Sequence, residues 1–357
     1  MLQLNKPYHL APLPPKINWK SSAFSDILLK ARVELAELKG YSATVPNAML
    51  LVSPAVIKES VASSSIENIN TTLMGVLQNQ MFLADEQHGP DKEVLRYRDA
   101  VLWGYKNLSS LGLSKKLMCG IADQLVPDLK GQLRKRQNQI QNTTSGKILY
   151  MPPAPLNIPK LLLNWEEFSR LSENRIDPLL ACIVAHYQFE AIHPFEDGNG
   201  RAGRILMVLH LVHAGVLAVP ILYISGYITK NRTHYYRLLK GVTNSGNWEE
   251  FILFLLKGFY LQAKQTKATL IAIAEFHESL REQIRKEHHK VYSADLVEAL
   301  FTFPVITPVR LGKALGIHYT TASRHLAELA KANILREAEV GRYHMYVNER
   351  LLTIVRR

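Results

Sequence analysis

The sequence predicts a mainly α-helical protein with one small β-hairpin, ending in a winged helix-turn-helix. Three observations predict it. Apolar residues recur at three- and four-residue spacing through the N-terminal and central parts of the 357 residues. Strand-like alternation is confined to one stretch near residue 148 and one pair of segments near the C-terminus. No Gly or Pro lies between Gly258 and Pro304, so a long helix over Ala263 to His289 is expected to join a large body to a small C-terminal unit.

In order, the proline-rich segment HLAPLPPKINW reads as an extended arm packed on the body. Ser25 to Lys39 has helical spacing at Ile27, Leu28, Leu35 and Leu38, with Gly40 as its stop. A second helix is expected from Pro54 through Val61 into SSSIEN. It brings Glu67 to a helix C-terminus, where the helix dipole disfavours a carboxylate unless a cation lies opposite. Helical patterns continue over Val94 to Leu108 and Lys116 to Leu125. Leu129 to Trp165 then holds Lys and Arg but no acidic residue, and within it KILYMPP follows the turn Thr143-Thr144-Ser145-Gly146 as half of a hairpin. Asp177-Pro178 starts a helix whose apolar face is Leu180, Ile183, Val184 and Tyr187. Further helices are expected over Arg232 to Lys240 and Trp248 to Phe259. At the C-terminus, TPVRLGKALG and Thr320 to Ala332 form two helices around a turn, and Gly341-Arg342 joins two alternating segments as a wing does.

Composition excludes several classes. The hydrophobic content of 47% belongs to a globular protein, and the two cysteines, Cys119 and Cys182, stand far apart among apolar neighbours. Reduced thiols in a cytoplasmic protein are expected. The first residues lack the apolar core of a signal peptide. Ile205 to Ile224 has the length of a membrane span but contains His210, His213, Gly215 and Pro220, so a buried helix explains it better. The net charge of +12 implies attraction to polyanions. Histidine and cysteine never combine at zinc-ligand spacing.

The chemistry concentrates in residues 193–204, HPFEDGNGRAGR, directly ahead of an apolar helix. Gly198, Asn199 and Gly200 let backbone amides face an anion at a helix start, and Arg201 and Arg204 supply bidentate partners for phosphate oxygens. The plainer reading is a polar loop capping a buried helix. A structural loop has no need of His, Asp and two Arg together. His193 suits a general base, and Asp197 suits a hard cation such as Mg²⁺ or Mn²⁺.

This run resembles the signature of the Fic (filamentation induced by cAMP) family, HPFxDGNGRxxR, at every specified position. GQLRKRQNQI with KILYMPPAP resembles the family's flap, YITKNRTHYYRLL its following helices, and residues 1–80 its N-terminal extension. The resemblance implies a helical core that transfers AMP from ATP to a Ser, Thr or Tyr hydroxyl of a protein. It implies His193 as base, Asp197 as metal ligand, the amides and side chain at Gly198, Asn199 and Gly200 as anion hole, and Arg204 on the γ-phosphate. Doc-type relatives carry Lys at the position of Gly200 and are associated with phosphorylation, so this chain falls on the AMP-transfer side. Ser63, Glu67 and Asn68 match the family's inhibitory pattern of Ser or Thr, three residues of any kind, Glu, then Gly or Asn. A carboxylate paired with Arg204 would displace the γ-phosphate, so an autoinhibited enzyme capable of self-modification is implied.

The expected division is 1–90, extension with inhibitory helix; 91–260, catalytic core; 261–290, helical linker; and 291–357, winged-helix domain. A competing reading is a DNA-binding regulator whose nucleotide site senses. It draws on Tyr319, Thr320, Thr321, Ser323 and Arg324 at the recognition-helix start. Against it stand Glu337 and Glu339 on the wing, and ten basic against six acidic residues from Lys290 to Arg357. The expected partners are therefore ATP and an unidentified protein bearing a hydroxyl, with DNA and a homodimer open and no membrane.

Overall fold

The computed structural model describes residues 6–44, 48–82, 86–141, 146–171 and 176–356, so Thr143, Thr144 and Ser145 of the expected turn lie outside the described residues. The first helices are α1 (Ser22–Thr44), α2 (Ala48–Ile66), α3 (Leu73–Asn79), α4 (Gly89–Leu111) and α5 (Lys115–Leu125). Gly40 does not stop α1: a side chain there would meet nothing within 4 Å, and glycine in an exposed helix costs only about 1 kcal/mol. The second helix begins at Ala48 instead of Pro54, so Pro54 stands inside it. Helix α3 was not legible in the sequence; Thr72 starts it by accepting from the Gly75 amide at 3.0 Å.

The hairpin is β1 (Ile140–Gln141) against β2 (Ile148–Tyr150), antiparallel, with Ile140 opposite Tyr150. The centre follows: α6 (Ile158–Leu171), α7 (Pro178–Ile192) and α8 (Asn199–His213). Asp177 caps α7 as expected, its Oδ1 accepting from the Leu179 amide at 2.8 Å. Almost every side chain from Leu179 to Ile192 is buried, the mark of a helix enclosed on all sides. Helix α6 leans on it, Trp165 donating Nε1–H to the Ala185 carbonyl at 2.7 Å. Cys182, buried and free, lies at the α7–α8 contact with its Sγ 3.3 Å from the Met207 carbonyl.

Next come α9 (Ile224–Lys230), α10 (Arg232–Ser245) and α11 (Trp248–Glu287). The two helices expected around Gly258 are one helix of 40 residues. Gly258 does not end it because it is a packing position: a Cβ there would come within 2.7 Å of Tyr227 and 3.0 Å of Ile224. Helix α1 lies along α11 and buries Ala31, Leu35 and Leu38. No helix among the described residues is long and apolar enough to cross a membrane.

The C-terminal unit comprises α12 (Ala294–Thr302), β3 (Val305–Ile306), α13 (Pro308–Leu315), α14 (Tyr319–Lys331), β4 (Arg336–Val340), β5 (Tyr343–Val347) and α15 (Glu349–Arg356). The helix pair and the hairpin turning at Gly341-Arg342 match the expected pattern; α12, β3 and α15 add to it. The sheet is antiparallel in the order β3-β5-β4.

Candidate active site

The site is the α7–α8 loop, held from three directions. Helix α7 ends at His193, whose backbone is left-handed with φ 50° and ψ 60°, a common way to turn the chain off a helix. Phe195 plugs the loop into the core at 1% exposure. The turn leaves the buried Phe195 amide and carbonyl without backbone partners, and Asn199 supplies both: Oδ1 accepts from the Phe195 N–H and Nδ2 donates to its C=O, each at 2.8 Å. The Asn199 side chain was expected in the anion hole and is instead committed to the loop, leaving only its backbone N–H for an anion. Arg134, on the segment before the hairpin, donates Nε–H to the His193 carbonyl at 2.9 Å, and its own amide donates to the Pro194 carbonyl at 2.9 Å.

Gly198, with φ 79°, opens α8 in a conformation few other residues adopt cheaply. The first N–H groups of a helix have no partner within it, and the dipole makes that end positive. Asp197 lies beside this end, its side chain 67% exposed. One oxygen accepts from the Gly198 amide at 2.6 Å, and the other is 3.7 Å from Arg201 Nη2. Arg201 is buried and pairs with Glu93 of α4 at 3.1 Å. No group of three or more His, Cys, Asp or Glu that could cage a metal occurs among the described residues. A single exposed carboxylate nevertheless fits Mg²⁺, which is commonly held by one or two carboxylates plus water and the phosphates of its substrate.

The C-terminus of α2 meets this loop. The Ile69 amide bonds back to the Ser64 carbonyl and the Asn68 amide to the Ser65 carbonyl, both at 3.1 Å, which is the Schellman closure. Asn68 takes the left-handed position with φ 63°, and its Oδ1 accepts from Arg232 at 2.9 Å. The preceding residue, Glu67, is thereby aimed at α8. Arg204 is 1% exposed, and its side-chain hydrogen bonds among the described residues go to the end of α2 and the residue just after it: Nε to Ser63 Oγ at 2.8 Å, Nη2 to the Ser63 carbonyl at 2.9 Å, and Nη2 to Glu67 Oε1 at 2.9 Å. The cation demanded by a carboxylate at a helix C-terminus is thus Arg204. Gly200 makes the room: a Cβ on it would lie 2.3 Å from Glu67 Oε1. The Glu67 carboxylate therefore rests on the first turn of α8, where an anion would be attracted.

Burial sets the charge states. It lowers His193 to about 4, so the imidazole is neutral at neutral pH. Burial raises Glu190, one turn before His193, to about 8, with Glu67 adding to the rise and Arg204 opposing it. Glu59, two turns before Glu67 on the same face of α2, is raised by burial to about 7. It accepts from the Ser225 amide at 3.0 Å and from Tyr97 Oη at 3.3 Å. Sequence reading missed Arg134, Glu93, Glu190 and Glu59, since each acts through a partner distant in sequence or through its burial. The absence of acids around Arg134 was the one available signal.

Comparison with known proteins is consistent along the chain. The Fic/DOC family model matches residues 112–211, and the Fic/DOC family N-terminal model matches 26–106. The protein adenylyltransferase SoFic-like C-terminal domain matches 276–351. The chain is 30% identical over 197 residues to the probable protein adenylyltransferase of Aquifex aeolicus, covering 53% of this chain and 54% of that protein. It is 34% identical over 107 residues to protein adenylyltransferase Fic of Drosophila grimshawi, covering 30% of this chain and 21% of that protein. The chain thus spans about half the length of the first relative and about a fifth of the second. In fold it is similar to a Fic family protein of Desulfovibrio desulfuricans, with TM-score 0.57, 21% identity, and coverage of 95% of this chain and 98% of that one. It is also similar to Fic-1 of C. elegans, with TM-score 0.50, 18% identity, and coverage of 71% and 74%.

Proposed function

The chain belongs to the Fic/DOC family, and from that premise we propose that it is a protein adenylyltransferase whose nucleotide site is closed by its own Glu67. The observation that carries this reading is the placement of the Glu67 carboxylate on both Arg204 and the first turn of α8, two features that attract phosphate. ATP is the proposed nucleotide. The amides of Gly198, Asn199 and Gly200 with Arg201 cradle its phosphates, and Arg204 takes the terminal one. His193, neutral and locked in place by Arg134, accepts the proton of a Ser, Thr or Tyr hydroxyl as that oxygen bonds to the α-phosphorus. The bond from the α-phosphorus to the bridging oxygen breaks and pyrophosphate leaves. Asp197 is the proposed ligand of Mg²⁺ or Mn²⁺, which offsets phosphate charge when bound.

In the inhibited state Glu67 holds the position of the terminal phosphate, and two anions in one poorly solvated site repel strongly. The domain division expected from the sequence, with a catalytic core over 91–260, is retained as part of the proposal, as are self-modification and a cytoplasmic setting. A DNA-regulator reading draws support only from exposed Tyr319, Thr320 and Arg324 at the start of α14. The wing weighs against it, because Glu337 and Glu339 pair there with His344. A homodimer has no specific support.

The test is the mass of full-length Glu67→Gly protein incubated with ATP and Mg²⁺. An addition of the size of AMP, absent in the variant that also carries His193→Ala, is expected. A phosphate-sized addition, or an AMP-sized one that persists without His193, overturns the reading.

A further inference from the structure

Helix α2 and the residue that closes it present a site-facing stripe, Glu59, Ser63 and Glu67, at four-residue spacing. Its other side is occupied by the C-terminal unit. Ile57 of α2, Val76 of α3 and Val94 of α4 form one buried apolar cluster with Val305 of β3 and Met345 and Val347 of β5. Helices α12 and α15 also touch α2. At the rim, the Phe82 and Tyr343 rings lie 4.9 Å apart, and Glu86 accepts hydrogen bonds from both Arg342 and Tyr343. The β4–β5 hairpin is therefore bolted to Phe82 and Glu86, while the same C-terminal unit reaches α2 through α12, α15 and the shared apolar cluster.

The chemistry of α2 makes this contact consequential. Its last turns are rich in buried serine, with Ser60, Ser63 and Ser64 all at 0% exposure. These hydroxyls contribute little to hydrophobic burial, which scales with apolar area, and Ile66 is the large apolar anchor of this end, at 0% exposure. The Ile57 side, by contrast, belongs to an apolar cluster shared with α3, α4 and the C-terminal sheet. Ile57 precedes Glu67 by ten residues, about 15 Å along a helix, and an intact helix moves as one rod.

We propose that the C-terminal domain is a clamp that sets how firmly Glu67 sits on Arg204, so that prying the β4–β5 hairpin from Phe82 and Glu86 releases the nucleotide site. This deepens, and rests on, the reading of Glu67 as the inhibitory residue.

Two variants of the full chain test it. Arg342→Glu sets like charges against Glu86 on the exposed rim, and Tyr343→Ala removes both the ring and the hydroxyl. Each is measured for amide hydrogen exchange over residues 56–66 and for incorporation of α-labelled ATP, beside wild type and Glu67→Gly. Faster exchange in α2 is expected, with incorporation rising several-fold, about tenfold at most, and staying below that of Glu67→Gly. Glu86→Arg combined with Arg342→Glu should return both readouts toward wild type. Unchanged exchange overturns the clamp, as does faster exchange without a rise in incorporation while Glu67→Gly is active. If Glu67→Gly itself is silent, the reading of Glu67 fails, and the exchange data alone decide whether the hairpin holds α2.

Discussion

His193 and Glu190 stand one turn apart at the end of α7, and burial drives them in opposite directions, His193 down to about 4 and Glu190 up to about 8. Both are held in their neutral forms, which suits a base that must accept a proton beside phosphates. The same physics acts on His186 and His210, each lowered by burial to about 3, and on Glu59, raised to about 7. The signs give a stability profile. An imidazole with a lowered value contributes stability that is present above its ordinary 6.5 and lost as pH falls toward the folded value. A carboxyl with a raised value contributes stability that is present below its ordinary 4.5 and lost as pH rises through the folded value. From 4.5 to 6.5 the lowered histidines, His186, His193, His210 and His277, outweigh the two carboxyls; above 6.5 the two carboxyls dominate. Thermal unfolding across this range should show Tm highest near pH 6.5, declining toward 8 as Glu59 and Glu190 ionise. In Glu59→Gln the decline above 6.5 should shrink; a Tm that climbs steadily to 8 would contradict the assignment.

The end of α2 is an element whose geometry follows from one backbone conformation. Asn68 at φ 63° closes the Schellman turn that aims Glu67, and glycine or asparagine suits that position where a β-branched residue does not. Asn68→Gly should leave Tm within a degree or two of wild type, whereas Asn68→Val should cost about 1–2 kcal/mol and raise α-labelled ATP incorporation. A silent Asn68→Val would show that the turn does not aim Glu67. Much at this scale was legible in the sequence: the α7 cap at Asp177, the glycine-rich loop, the placement of Glu67 at a helix end, and the hairpin around Gly341. The misses have physical causes. Gly40 and Gly258 look like stops, yet one is an exposed helix position and the other a packing position, and the sequence alone does not distinguish these cases. Arg134 reaches His193 across 59 residues and Arg201 reaches Glu93 across 108, distances over which periodicity carries no information. Asn199 was assigned to an anion when the buried Phe195 backbone claims it, a demand visible only once the turn is built.

Across the whole molecule, one helix connects the ends of the chain's logic. Helix α2 touches α8 on one side and α12 and α15 of the C-terminal unit on another, and α11 runs as a single piece from α7 to that unit. This arrangement places the Glu67 carboxylate at the end of an element that two parts of the protein hold at once. Glu67 pairs with Arg204 and lies against Gly200, so on the proposed reading its removal opens the site and leaves the loop in place. The most direct measurement is incorporation from α-labelled ATP into full-length wild type, Glu67→Gly and Glu67→Gly with His193→Ala, at equal concentration. Low labelling is expected in wild type, labelling at least about tenfold higher in Glu67→Gly, and loss of that signal with His193→Ala, since a positioned general base contributes roughly 10²–10⁴-fold. Equal labelling by wild type and Glu67→Gly would contradict the inhibitory reading of Glu67.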